Sequence, residues 1–369
     1  MEDARSLLIL LRSGAAAAAL RNLLDTFGSA AAGLAAGRIG WRDAGLDGAC
    51  SGALQAPDQA RLQADLGWLA LPGRHLIGWH SPDYPALLRT SMYPPAALFV
   101  HGDPDLLWHP QVAVVGSRHP SAGGRDNARQ FARAFGDAGL VVTSGLAAGI
   151  DTAAHLGAME SSRTVAVLGT GPDLCYPPEN ARLMAAIAAA GAVVSEHPPG
   201  TPGMRQHFPS RNRLIAGLAL ATVVVEAAVR SGALITARMA AEAGREVFAL
   251  PGSIHNPMAR GCHRLIRQGA GLAETPAEVI EALAPLAGNL ATALRERLGV
   301  ASPCREPAGP SLVTPEQQQL WLSIGHDPVN LDQLAERTGL TVGPLSAMLL
   351  TMELDGKISA EHGRYSRRS

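Results

Sequence analysis

Between residues 110 and 252 the chain repeats one pattern six times: a short β-branched run, mostly closing on a small residue, then a stretch of helical character. The runs are Val112–Gly116, Val141–Gly145, Val165–Gly169, Val193–Glu196, Val223–Glu226 and Val247–Gly252. Apolar strands with almost no polar interruption must be covered on both faces, and helices between them supply the cover. The pattern therefore predicts an α/β fold with a doubly wound, Rossmann-like parallel sheet. His75–Trp79 and Leu98–His101 are expected to add strands before it.

In such sheets ligands bind beyond the carboxyl ends of the strands. Gly116-Ser117, Ser144-Gly145, Gly169-Thr170-Gly171 and Ser231-Gly232 stand at or near those ends and are expected to line one crevice. Small residues there let backbone N–H groups come close to a phosphate.

The flanks read differently. Leu7–Leu11, Leu20–Phe27 and Pro57–Leu69 mark a small helical domain over residues 1–72, with alanine-rich runs that blur its helix ends. The α/β domain is expected over 76–285. Pro303, Pro307 and Pro310 mark a linker over 286–311. Over 312–369, Leu331–Glu336, the turn Thr338-Gly339-Leu340, a helix Val342–Leu354 and a hairpin Ile358–Tyr365 follow helix-turn-helix order with a wing. That pattern serves DNA binding or protein contact equally.

The segment Phe208-Pro209-Ser210-Arg211-Asn212-Arg213 is read as the first turn of an amphipathic helix, preceded by Arg205 on a loop. A helix N-terminus favours an anion, and arginines added there point to phosphate. Net charge is −1 over 369 residues, but from Arg205 to Arg267 nine arginines face three acids. Arg118, beside Gly116 and Ser117, joins the same crevice edge. Phe208 fits either a base-stacking platform or a hydrophobic staple for its helix.

Other chemistry finds little support. Gly169-Thr170-Gly171 lacks the third glycine of a dinucleotide loop, since Leu174 stands in its place. No Walker A sequence occurs, and the only lysine is Lys357. HExxH and GxSxG are absent, so no catalytic residue, metal or cofactor is expected. Asp151 reads as a helix cap and His155 as packed near the sheet. Glu196 and Glu226 read as acceptors for loop N–H groups or arginines. Cys50, Cys175, Cys262 and Cys304 form no CxxC pair, which favours reduced thiols. The acidic Met1-Glu2-Asp3 start and the lack of a 20-residue apolar run lead to a cytoplasmic, non-membrane reading.

Taken in order, these motifs resemble the DNA-processing protein A family (DprA, also called Smf). The resemblance covers residues 76–283 and rests on Val114–Arg118, Ser144–Asp151, Gly169–Asp173, Tyr176–Asn180, Ser195–Gly200, Phe208–Gly217, Ser231–Ala237 and Gly244–Gly252. It implies an extended Rossmann domain that binds single-stranded DNA without hydrolysing it. It further implies protection of incoming DNA in natural transformation, loading of the RecA recombinase, and a homodimer. The DNA contacts it implies are Gly116, Ser117, Arg118, Arg205, Phe208, Arg211, Asn212 and Arg213; Ser144 and Gly145 join them as crevice residues. The resemblance also implies a helix-hairpin-helix-like N-terminal domain and a C-terminal winged helix. Ser13-Gly14-Ala15-Ala16-Ala17 departs from the family's Gly-Ile-Gly hairpin and removes the backbone nest that two glycines permit. A nucleotide- or nucleoside-phosphate-binding enzyme or sensor on the same fold is the alternative; it would need a closed site with few arginines.

Overall fold

The structure, a computed structural model, describes residues 2–297, 315–324, 329–354, 358–361 and 364–367. Contacts divide the chain into two compact units, Met1–Val300 and Ala301–Ser369.

The first unit is built on a nine-stranded sheet: β1 (Arg74–Gly78), β2 (Ala97–Gly102), β3 (Gln111–Val115), β4 (Val141–Ser144), β5 (Thr164–Val167), β6 (Ala192–Ser195), β7 (Ala221–Val224), β8 (Glu246–Ala249) and β9 (Gly271–Leu272). Its order is β1-β2-β6-β5-β4-β3-β7-β8-β9, parallel from β6 to β9. The six runs read from the sequence are β3 to β8. The two earlier strands join antiparallel, β2 on β6 and β1 on β2. β9, only two residues long, carries no alternation from which to read it.

Side-chain alternation along the strands feeds two cores. Ala113 and Val115 pack with Leu214, Ile215, Ala237 and Cys262 from the helices His207–Leu218, Ala233–Glu242 and Arg260–Arg267. Val112 and Val114 pack on the other face with Phe131, Phe135, Ile150, Val279 and Leu283. Those residues come from Ala122–Asp137, Ile150–Met159 and Pro276–Arg297. That last helix carries Pro285 inside it and runs through the first part of the expected linker. Its alanine- and leucine-rich composition favours helix there. The remainder of that linker, with Cys304, lies outside the described residues, as does Lys357.

Six short helices, Glu2–Arg12, Ala17–Phe27, Ala30–Ala35, Gly37–Asp43, Gly48–Gln55 and Gln59–Leu69, precede the sheet. The three between Ala30 and Gln55 are hidden in alanine- and glycine-rich sequence with little polar periodicity. Their core includes Leu8, Leu23, Trp41 and Leu62, and it continues into Ala97 and Phe99 of β2. Arg12 binds buried Asp65 through two hydrogen bonds, 2.9 and 2.7 Å, and donates to the Pro199 carbonyl at 2.7 Å.

In the second unit, helices Pro315–Ile324, Leu331–Thr338 and Val342–Leu354 pack with a three-stranded sheet, β10 (Val329–Asn330), β12 (Arg364–Arg367) and β11 (Ile358–Glu361). Asn330 and Gln333 form a capping box, and Gly339 closes the helix with φ 69°. This is a winged helix.

Candidate nucleic-acid interface

The parallel strands reverse direction of progression between β3 and β7. Beyond their carboxyl ends an open cavity of about 800 Å³ is found, where a doubly wound sheet places its ligand. Gly116, Ser117 and Arg118 follow β3; Ala228, Arg230 and Ser231 follow β7; Tyr176 comes from the loop after β5. Arg205, Phe208, Arg211 and Asn212 come from the loop and helix between β6 and β7. The helix Ala233–Glu242 aims its N-terminus at the cavity, with Gly232 at its start, which presents N–H groups to an anion.

The charged lining is four arginines against one aspartate. Arg118, Arg205 and Arg230 are exposed, and among the described residues none of them forms an ion pair. Tyr176, 50% exposed, packs on Phe208 with ring centroids 4.9 Å apart and planes at 41°. Phe208 thus presents a ring at the cavity as part of an aromatic pair.

The helix carrying Phe208 starts at His207, so Arg211, Asn212 and Arg213 sit beyond its first turn. Pro209 falls inside that first turn, where a missing N–H costs nothing. This register sends the two arginines to different places. Arg211 is 5% exposed and donates to the carbonyl oxygens of Gly145, at 2.7 Å, and Val167. Burial lowers its pKa to about 10, against the pull of nearby Asp151. Arg213 does not line the cavity: it pairs with Glu196 on the loop after β6. Asn212 lines the cavity and accepts from Arg211 Nε at 3.3 Å.

Asp151 is buried in the first turn of its helix, after Gly149 rather than as the cap itself. Its carboxylate accepts from the Gly145 and Ala147 amides at 3.2 and 3.3 Å. Burial raises its pKa, while Arg211 and those two amides pull it down. A Cβ on Gly145 would meet both the Arg211 guanidinium and the Asp151 carboxylate, so only glycine fits between them. Gly145 and Gly169 line a smaller adjoining recess of about 180 Å³ with Tyr176 and Phe208. Ser144 stays in the sheet, its hydroxyl donating to the Val114 carbonyl at 2.6 Å. Thr170 and Gly171 instead tie down neighbouring loops, to Leu174 and Thr201. His155 is fully buried, its Nδ1 2.8 Å from the Thr164 hydroxyl, and burial takes its pKa down to about 3.

Sequence reasoning did not place Tyr176 or Arg230 in the site. Tyr176 sits in a proline-rich loop and meets Phe208 only through the fold. Arg230 was one of nine arginines in a segment that gave no ground for preferring it. Among the described residues no group of histidine, cysteine and carboxylate side chains is placed to hold a metal. No described helix is long and apolar enough to cross a membrane.

The chain is similar to known proteins along most of its length. Residues 75–284 match the family DNA recombination-mediator protein A, and residues 304–364 match the DprA winged helix domain. The Smf protein of Escherichia coli is 42% identical over 318 residues, covering 83% of this chain and 80% of that protein. The crystal structure of DNA processing protein A from Streptococcus pneumoniae is 36% identical with a TM-score of 0.68, covering 76% of this chain and 98% of that one. The Helicobacter pylori DNA processing protein A, solved for its single-stranded DNA binding mode, is 28% identical with a TM-score of 0.51, covering 55% and 93%.

Proposed function

The chain belongs to the DNA recombination-mediator protein A family, and on that premise we propose that its switch-point cavity binds single-stranded DNA. One observation carries the reading: Arg118, Arg205 and Arg230, exposed and without ion pairs among the described residues, surround an open cavity that also holds the Tyr176–Phe208 pair. Arginine and helix N–H groups take phosphates, while the aromatic faces stack on bases of any sequence. Gly116, Ser117 and Asn212 line the same cavity beside these groups. Arg211 and Gly145 form the floor, and Arg213 serves the fold beside it.

Binding proceeds without hydrolysis. Two supports for this are that Asp151, the carboxylate lining the cavity, accepts from the Gly145 and Ala147 amides, and that Glu226 behind it accepts from Ser121 and Asn256, so both are engaged in holding the fold. Following the family, the bound strand is incoming DNA protected during natural transformation, and the protein, as a cytoplasmic homodimer, hands it to the RecA recombinase. The second unit adds a contact to longer DNA or to protein.

The test is a fluorescence-anisotropy titration of a short labelled oligothymidylate, its duplex and nucleoside phosphates at several salt concentrations. Preference for the single strand, with affinity falling linearly on a log–log salt plot, is expected. Tight, salt-insensitive binding of a nucleoside phosphate, with no strand binding, would defeat the proposal in favour of a nucleotide enzyme or sensor.

A further inference from the structure

We infer that Glu226 is a positioning residue that fixes the loop from which Arg118 reaches DNA; this rests on the single-stranded DNA reading of the cavity. Glu226 lies two residues past β7, is 7% exposed and does not line the cavity. Its carboxylate accepts from Ser121 N at 2.9 Å, Ser121 Oγ at 2.7 Å and Asn256 Nδ2 at 3.0 Å. Its backbone oxygen accepts from Ser117 N at 2.6 Å. One residue therefore grips both ends of the loop 117–121.

The grip is specific. Ser121 Oγ accepts from Gly124 N at 3.0 Å as cap of the helix Ala122–Asp137, so its one proton is committed to Glu226. Gly124 makes room, since a Cβ there would lie 2.5 Å from the carboxylate. Asn256 brings in the loop after β8, whose Met258 carbonyl accepts from Ala227 N at 2.6 Å. A carboxylate surrounded by three donors holds a loop beside a polyanion site while its own charge stays out of the cavity. An amide in its place would set an NH₂ group against a donor.

The experiment is a double-mutant cycle of Glu226→Gln and Arg118→Ala, read by oligothymidylate affinity and its salt slope, with circular dichroism and melting as fold controls. An Arg118 guanidinium held out of place loses its phosphate contact just as a deleted one does. Glu226→Gln alone is therefore expected to weaken binding about as far as Arg118→Ala does, and to lower the slope by about 0.7, one phosphate contact. In the Arg118→Ala background it should cost less than about twofold in affinity, as a shared mechanism requires. Independent, multiplicative losses, or weaker binding at unchanged slope, overturn the positioning role while leaving the DNA site standing. An Arg118→Ala protein that binds like wild type overturns both. Should Glu226→Gln fail to fold, Ser121→Ala carries the same cycle, because it removes one of the three donors and leaves the carboxylate in place.

Discussion

The Arg211 guanidinium donates to the Gly145 carbonyl at 2.7 Å, in space that exists only because residue 145 has no side chain. The same guanidinium reaches the Val167 carbonyl and so ties the ends of β4 and β5 together under the cavity. Removing it leaves two buried carbonyls without that donor and Asp151 without its nearest cation. Arg211→Ala is expected to destabilise the full chain by about 1–3 kcal/mol for each buried carbonyl left unsatisfied. Arg211→Lys should recover little, because one ammonium does not reproduce the planar fork. Urea unfolding measures both; a loss under about 1 kcal/mol would show that the floor does not depend on this side chain.

Phosphate contacts should separate the arginines by salt dependence. Arg118→Ala and Arg205→Ala are each expected to lower the log–log salt slope for single-stranded DNA by about 0.7, with affinity lost alike for all sequences. Arg213→Ala should leave the slope unchanged, since its partner is Glu196. Anisotropy titrations at four salt concentrations decide it, and a reduced slope for Arg213→Ala would place that residue on the strand after all.

Stacking should behave in the opposite way. Tyr176→Ala and Phe208→Ala are expected to weaken oligothymidylate binding by about 1–3 kcal/mol each, with the salt slope intact. Because the rings touch, the double variant should lose less than the two single losses together. Full additivity would mean that the rings hold separate bases.

Acid should act through His155. Its folded pKa of about 3 lies below the ordinary 6.5, because burial disfavours the imidazolium and Arg211 adds repulsion. The unfolded chain therefore takes up a proton that the folded chain refuses. Stability from this group is complete above about pH 6.5 and falls as pH drops toward 3, by up to about 1.4 kcal/mol per unit. Burial shifts His197 in the same direction. Unfolding free energies at pH 7, 6 and 5 should therefore fall less steeply, by close to one proton, in His155→Asn. Parallel profiles for the two proteins would refute the assignment.

By itself the sequence determined the α/β class and the strands β3 to β8. It also determined the winged helix and put Gly116, Arg118, Arg205 and Phe208 on one crevice, where the fold does bring them together. Each of those is local: β-branched runs, small residues at strand ends and capping residues act over a few positions, and the two-sided burial of a parallel strand is written in its own composition. The tertiary structure alone decided which arginines are free. Arg211 and Arg213 are two positions apart on one helix, yet the first is consumed by the ends of β4 and β5 and the second by Glu196. It also decided that Tyr176 meets Phe208 and that Glu226 holds both ends of the Arg118 loop. These are pairings between distant segments, set by the strand order and by a helix start upstream of Pro209. A side chain's charge is fixed by its residue type, but its availability depends on which neighbours the fold brings within hydrogen-bonding distance.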